Sequence, residues 1–299
     1  MEPQTWIAVQ ASAKKAPAWR EKMKKKKISS LGIVKYVFLV VMALMFVTPL
    51  LFTILSSLKN NREIFTNPFS LPETWRFDNY VTAWTDANMG KYFINSIVIA
   101  LATVVTLAIL CSMTAFVISR FQFKGSRLLM VFFLIGMMVP MHTILVPVTY
   151  MIGFLQLKNN LVVLVLLYVA FSIPFSIMVL SNFMRGISKS LEEAAIIDGA
   201  GYFRIYWNVI MPMTIPAIST ISIFNFLSAW NNVLFPLLFI NDNKLKPISL
   251  GLLNFSGERG SDYGPLMAAI AITVFVPLVM YLLFQEKVEG GLAAGAIKE

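Results

Sequence analysis

The stretch with the clearest capacity for specific chemistry runs from Ser188 to Pro216, where polar residues interrupt the very apolar second half of the chain. Ser190 is followed three residues later by Glu193, which is the spacing of a capping box at the start of a helix. Good helix formers over 191–197 then predict a short helix.

The second part of this stretch predicts a turn and another short helix. Gly199 and Gly201 can both adopt the positive φ that ends a helix. Residues 202–211 form an amphipathic run, and Pro212 precedes the next apolar segment. Because apolar segments flank the whole stretch, the two short helices would lie outside the lipid and form a small knob.

Residues that could catalyse a reaction or hold a metal ion are scarce. No phosphate-binding G-x-x-x-x-G-K-[ST] loop occurs, and Gly199-Ala200-Gly201 is a lone G-x-G that no predicted strand precedes. The single histidine, His142, and the single cysteine, Cys111, are not near each other. The sequence therefore predicts no metal site, no cofactor bound by this chain and no enzymatic activity.

Polar uncharged side chains inside the apolar segments are the candidates for a substrate path. Amides exchange hydrogen bonds with hydroxyl groups, and an indole ring can stack on the face of a hydroxyl-bearing solute. Amides can equally join one membrane helix to another, and a histidine between two prolines can bond the carbonyls that those prolines leave free. The candidates are Asn225, Trp230, Asn231, Asn232 and His142.

The composition is that of a membrane protein. Of 299 residues, 58% are hydrophobic and 13% are charged, whereas a soluble domain carries about 25% charged residues. Apolar runs near 20 residues are long enough to cross a bilayer as helices. We predict an all-α polytopic membrane protein with a transmembrane domain over 33–284. Its six transmembrane helices lie near 33–57, 93–118, 128–152, 161–184, 215–240 and 265–284.

The distribution of basic residues predicts the orientation. Excess Lys and Arg mark 1–32 and 119–127 as cytoplasmic. The segment 185–213 has three basic and three acidic residues, and it is assigned to the same side because two predicted spans separate it from 119–127. The loops 58–92 and 241–264 have balanced charge and are assigned to the outer face. Six spans then return the tail 285–299 to the cytoplasm. The segment 1–32 could also bind nucleic acid or anionic lipid, and it does not fit a cleaved signal peptide.

All Asp and Glu residues lie outside the predicted spans. Carriers that couple transport to protons or ions usually place ionisable residues inside the membrane. The absence of acidic residues from the spans, which also hold no Lys or Arg apart from Lys35 at the entrance of the first, argues against such a carrier and favours a membrane protein that is driven from outside the bilayer. Prolines within the spans could provide the bends that such a bundle uses, although prolines are common in membrane helices in general.

The stretch 188–216 resembles the coupling loop of ABC importer permeases, whose usual form is E-A-A, three residues, G, nine residues, I-x-L-P. Here the motif is Glu193-Ala194-Ala195, three residues, Gly199, nine residues, then Val209-x-Met211-Pro212. The resemblance covers nearly the whole chain and points to carbohydrate-uptake members of the maltose-permease type. It also includes AFVISRFQFKG at 115–125, Trp230-Asn231-Asn232 with Pro236, and the tail GGLAAGAIK at 290–298.

This resemblance implies the type I ABC importer permease fold and ATP-driven uptake of a sugar or oligosaccharide. It implies a multi-pass subunit of a bacterial or archaeal cytoplasmic membrane. The implied partners are a second permease subunit (a different sister chain), two ATP-binding cassette subunits that hold ATP and Mg, an extracytoplasmic solute-binding protein, the carbohydrate and membrane lipid, with no nucleic acid.

The resemblance also assigns the coupling residues. Glu193 would cap the helix and make an acidic contact to the ATPase, small residues would allow close approach, and Asp198 would brace the turn or pair with Arg204. The complete set is Ser190, Glu193, Ala194, Ala195, Asp198, Gly199 and Pro212.

Two other functions use the same spans. One is an ATP-independent carrier or channel, and the other is a non-transporting membrane scaffold whose cytoplasmic loop docks a partner. Uptake that survives loss of every ATPase would favour the carrier. A docking loop without any dependence of transport on this chain would favour the scaffold.

Overall fold

The computed structural model describes residues 30–121, 123–255 and 262–296. Within these ranges the regular structure is helical and contains no strand, so the predicted all-α fold is confirmed. The basic segment predicted at 1–32 falls almost entirely outside the described residues, as does the end of the C-terminal tail. The helices are α1 (Ser30–Ser56), α2 (Asn61–Thr66), α3 (Asp78–Trp84), α4 (Met89–Arg120), α5 (Ser126–Met138), α6 (Leu145–Phe154), α7 (Leu161–Arg185), α8 (Ser190–Ile197), α9 (Tyr202–Ile205), α10 (Met211–Asn231), α11 (Leu234–Phe239), α12 (Ile248–Gly251) and α13 (Tyr263–Ala296).

Five helical segments are long and apolar enough to cross a membrane. They are Ile33–Ser56, Met89–Arg120, Leu161–Arg185, Tyr202–Asn231 and Tyr263–Gln285. The number rises to six if the bent pair formed by α5 and the 141–154 segment is one span. The chain divides into two compact units after Phe52, and the described part of the first unit is most of α1. Within α1, the Thr48 hydroxyl donates to the Leu44 carbonyl over 2.6 Å, next to Pro49.

The third predicted span, 128–152, is not one straight helix. The structure bends it by 87° between Met138 and Met141. Pro140 explains the bend, because the residue before a proline avoids the helical region, and Val139 is extended with a ψ of 114°. The Thr143 hydroxyl and amide both donate to the Pro140 carbonyl, over 2.7 and 3.1 Å, and satisfy it at the bend.

The fifth span also differs from the predicted range 215–240. A continuous helical segment runs from Tyr202 to Asn231, because α9 passes through a π-helical turn at Tyr206–Ile210 into α10. The Met211 amide donates to the Tyr206 carbonyl, five residues back. Pro212 has no amide hydrogen to donate, so the wider turn lets the helix continue through the proline. The predicted second short helix at 202–211 is therefore the beginning of this long helix.

The other end of this segment is closed at Asn232. Its backbone is extended with a ψ of 120°, which ends α10. The Asn232 Oδ1 atom accepts the Phe235 amide over 3.1 Å and starts α11, which is a separate short helix. The region that sequence predicts as one span is thus a long helix followed by a capped turn.

The second unit is built on α4, which packs against α7 and α10, while α10 also packs against α13. Two groups of buried side chains fill the interfaces. The Trp230 cluster lies toward the N-terminal end of α4 and contains Tyr92, Ile99, Tyr168, Phe226, Trp230 and Phe235. The Tyr206 cluster lies toward the C-terminal end of α4 and contains Leu107, Phe116, Leu180, Met184, Ile205, Tyr206 and Ile210.

Loops at the Trp230-cluster end are tied together by asparagine side chains. The Asn95 amide donates to the Lys244 and Lys246 carbonyls over 3.0 and 2.9 Å. The Asn159 Oδ1 atom accepts the Asn241 and Asp242 amides over 2.7 and 2.9 Å. These bonds join the predicted outer loop 241–264 to α4 and to the 153–160 loop.

We expect Asn159→Ala to destabilise this junction by about 2–3 kcal/mol. The substitution removes two accepted hydrogen bonds, each worth about 1 kcal/mol, and places alanine at a φ of 57°, where a side chain other than Asn or Gly is strained. Asn159→Gly removes the same bonds without the strain and should lose less. Thermal unfolding in detergent measures the difference, and equal stability of Asn159→Ala and the wild type would contradict the junction.

Candidate coupling site

The short helix predicted from the polar stretch is present as α8, but its start differs from the prediction. Lys189 already has helical angles and precedes the helix without a side-chain cap. The hydroxyl that accepts a backbone amide belongs to Ser188, which receives the Ser190 N–H over 3.3 Å. Ser190 therefore lies within the first turn, and the predicted Ser190–Glu193 capping box is wrong because the helix begins earlier in the chain.

The end of α8 is a glycine terminus. Gly199 has a φ of 79°, its amide donates to the Ile196 carbonyl over 2.9 Å, and the Ala200 amide donates to the Ala195 carbonyl over 2.9 Å. This pair of bonds is the Schellman motif. Gly201 is extended, with a φ of −75° and a ψ of 161°, so only Gly199 has the positive φ that sequence allowed for both.

The two sides of α8 differ in exposure. Ala195, together with Ala200 after the turn, packs against the Tyr206 cluster. Glu193 and Ala194 are exposed, and Ile197 is 85% exposed. The acidic and apolar side of α8 is therefore exposed, while its small residues pack against the rest of the protein.

The predicted ion pair between Asp198 and Arg204 does not form. Asp198 ends α8, and its amide donates to the Ala194 carbonyl over 3.0 Å. Both side chains are exposed, and in the described ranges ion pairs occur at Arg76–Asp78 and Arg120–Glu192 instead. Asp198 thus contributes its backbone, rather than a salt bridge, to the turn.

The charged contact that holds α8 comes from residues that the sequence analysis did not select. Arg120 Nε lies 2.7 Å from Glu192 Oε1, and the two side chains are 4% and 14% exposed. The contact is an ion pair rather than a well-aligned hydrogen bond. Arg120 also donates through Nη2 to the Ile187 carbonyl over 3.0 Å. The last residue of α4 therefore binds both α8 and the segment that leads into it.

A buried contact between two hydroxyl groups joins the π-helical turn to α4. The hydroxyls of Tyr206 and Ser112 lie 2.7 Å apart between the π-helical turn and α4. The Tyr206 ring packs against Phe116 with centroids 5.4 Å apart. Pro212 follows the turn within the same helical segment. Movement of α8 and of this long helix is thus opposed by contacts with α4.

The structure does not bring the five substrate-path candidates together. Asn225 is buried and donates to the Ser176 hydroxyl over 3.0 Å, joining α10 to α7. Trp230 is buried, donates to the Thr273 carbonyl over 3.2 Å and packs between Phe93 and Phe226. These two side chains join helices, which is the structural interpretation left open by the sequence.

The other three candidates have different surroundings. Asn232 is half-buried, and its Oδ1 atom caps α11 while its carbonyl accepts the Ser249 hydroxyl over 2.7 Å. Asn231 is exposed. His142 is exposed in the 3-10 turn at the bend of the third span, where Thr143 bonds the Pro140 carbonyl. Across the ranges that the structure describes, no group of His, Cys, Asp and Glu could hold a metal ion.

Because Trp230 is a core residue, we expect Trp230→Ala to act on stability. Truncating a buried aromatic side chain costs about 3–5 kcal/mol, and the Thr273 carbonyl would also lose its donor. Thermal unfolding in detergent should show a large loss, whereas the exposed Trp75→Ala should unfold as the wild type does. A stable Trp230→Ala protein with altered solute preference would contradict the core assignment.

Comparison with known proteins identifies the family to which this chain belongs. Residues 105–293 match the family described as the binding-protein-dependent transport system inner membrane component, which is more than half of the chain. The chain belongs to this family. It is therefore a multi-span transport component, and the family resemblance inferred from its motifs is confirmed.

Related proteins match over most of the chain. It is 36% identical over 267 residues to a diacetylchitobiose uptake system permease protein (NgcG) of Streptomyces coelicolor, covering 89% of this chain and 88% of that protein. It is 34% identical over 225 residues to the trehalose/maltose transport system permease protein (MalG) of Thermococcus litoralis, covering 74% and 81%. A bacterial ABC transporter that imports the acidic polysaccharide alginate has a similar fold, with a TM-score of 0.75 at 22% identity over 86% of this chain and 95% of that chain.

Proposed function

We propose that this chain is the permease subunit of an ATP-driven importer for a carbohydrate, and that α8 is its contact with the ATPase. The observation that carries the proposal is the placement of α8. Its acidic and apolar surface is exposed, while its other side is fixed to α4 by the Arg120–Glu192 contact and by Ala195. A helix exposed on one side and anchored on the other can receive a force and pass it to the membrane helices.

Glu193 and Ile197 are the residues of α8 that would contact the partner. Burying the exposed Ile197 side chain against a partner would favour binding, because apolar surface leaves water. The Glu193 carboxylate can pair with a basic groove. Ala194 lets the partner approach the helix backbone closely. Two ATP-binding cassette subunits, each with ATP and Mg, would bind this surface and the equivalent surface on a second, sister permease chain.

The grouping of the loops supports the proposed orientation. Contacts join the basic 119–127 end of α4 to the 185–201 segment. At the opposite end of α4, other contacts hold the 241–264 loop, whose charges are balanced, to α4 and to the 58–92 loop. The basic group would face the cytoplasm. The termini would then be cytoplasmic, and the membrane would be the cytoplasmic membrane of a bacterium or an archaeon.

The proposed substrate class follows from relatives that carry diacetylchitobiose and trehalose or maltose. An extracytoplasmic binding protein would deliver the sugar to the 58–92 and 241–264 loops. ATP-driven closure of the cassette subunits would then move α8 and tip the helices between inward-open and outward-open states. Asn231 and His142 are exposed and remain candidates for contact with the sugar.

Co-purification from the native membrane in mild detergent tests this function. We expect a cassette ATPase to accompany the chain, and the complex to hydrolyse ATP faster when its binding protein carries diacetylchitobiose, maltose or trehalose. Glu193→Gln should reduce the amount of ATPase recovered. A lone chain that still moves a solute would establish the carrier alternative, and a docked partner without any transport would establish the scaffold.

A further inference from the structure

A buried pair of opposite charges connects the second membrane span to α8. Arg120 is the last residue of α4, and Glu192 lies in the first turn of α8. Their side chains are 4% and 14% exposed at a separation of 2.7 Å. Surface ion pairs contribute little to folding stability. Removing one partner of a buried pair is strongly destabilising, because it leaves the other charge without compensation. Loss of either Arg120 or Glu192 should therefore cost more than loss of one member of a surface ion pair.

Arg120 makes a second contact that fixes its direction. Its Nη2 atom donates to the Ile187 carbonyl over 3.0 Å, and Ile187 is itself buried in the Tyr206 cluster. The guanidinium group thus holds the segment before α8 and the first turn of α8 at the same time. A guanidinium group can do this because its donors point in fixed directions within one plane.

The two adjacent acidic residues of α8 have different environments. Glu192 points to α4 and is partly buried, while Glu193 is exposed. We propose that the Arg120–Glu192 pair is the positioning link through which displacement of α8 moves α4, whereas Glu193 faces the partner. The inference rests on the proposed function, because it assumes that a partner displaces α8.

Single and double substitutions test the link in the complete transporter. The variants are Arg120→Gln, Glu192→Gln and the double variant. The control is Arg127→Gln, which removes an exposed basic residue at the start of α5, just after the end of α4. The readout is import of diacetylchitobiose, maltose or trehalose per ATP hydrolysed, together with recovery of the ATPase. Each single substitution should keep the ATPase bound and lower import per ATP about tenfold. The double variant should lose no more than either single variant, since both remove one interaction.

Glu192→Asp separates the charge from the general packing of this region. It should import more sugar per ATP than Glu192→Gln, because the ion pair can still form. Trypsin cleavage after the exposed Lys189 gives a readout without any partner, and it should be faster in Arg120→Gln and Glu192→Gln than in Arg127→Gln. Losses that add in the double variant, or an equal loss in Arg127→Gln, would overturn the link.

The same set distinguishes failure of the link from failure of the proposed function. If the wild-type chain recovers no ATPase, the proposed function fails, and if it recovers the ATPase but imports none of the three sugars, these three substrates are wrong. In both cases the trypsin comparison alone decides the link. If the wild type imports sugar and all of the single variants import it equally well per ATP, the link is wrong while the proposed function stands.

Discussion

Gly199→Val should leave the chain in the membrane but remove most of its ATP-driven transport. Gly199 has a φ of 79°, and a β-branched residue at such an angle costs about 1–3 kcal/mol. The strain would break the two backbone bonds that end α8 and let the exposed surface of the helix change direction. Transport in vesicles, ATPase recovery and the amount of chain in the membrane should be measured together.

Gly201 provides a matched control two residues away. It has no heavy atom within 4 Å of an added Cβ, as is also true of Gly199, but its φ is −75°. Gly201→Val should therefore keep its transport, since valine accepts an extended backbone readily. The coupling proposal would be contradicted if Gly199→Val transported normally, and a loss in both variants would point to the side chain's size rather than to the turn.

Lys59→Met should destabilise the loop after the first span by about 3 kcal/mol, on the scale of buried hydrogen bonds to a charged group. Lys59 is fully buried, and its ammonium group donates to the Asn67 carbonyl over 2.8 Å and to the Pro68 carbonyl over 3.0 Å. The Ser70 hydroxyl lies 3.4 Å away. Methionine would fill much of the space but remove both ammonium bonds, so that the Asn67 carbonyl keeps only the amide and hydroxyl of Ser70 as donors.

The effect of Lys59→Met can be followed by trypsin cleavage after Arg62 and by thermal unfolding in detergent. Lys91→Met is the control, because Lys91 is exposed and has the same charge. We expect faster cleavage only in Lys59→Met. Equal cleavage of the two variants would mean that the buried ammonium group does not hold the loop.

Much of the fold could be predicted because it depends on the composition of contiguous segments. Apolar runs of about 20 residues must form helices in lipid, where every backbone group needs an internal partner. The glycine end of α8 was predictable for a local reason, since it requires one residue that tolerates positive φ. Boundaries that depend on a proline were predicted less well. Pro212 changes a helix into a π-helical turn, and Pro140 bends a span, although both look alike in sequence.

The interior contacts could not be predicted in the same way. Glu192 and Glu193 are adjacent and identical in type, so their different roles are decided by which of them faces Arg120. Lys59 looks like one more charge in an outer loop until the carbonyls of 67 and 68 surround it. Trp230 looks like a ring that could stack on a sugar until Phe93 and Phe226 cover it.

The sequence by itself determined an all-helical membrane protein, the family to which it belongs and the position of the α8 turn, because hydropathy, motif spacing and glycine conformation act locally along the chain. Only the tertiary structure decided which charges are buried, which amides join helices and which side of α8 is free. Those properties arise from residues as distant as Arg120 and Glu192, and no local pattern specifies which of them will meet.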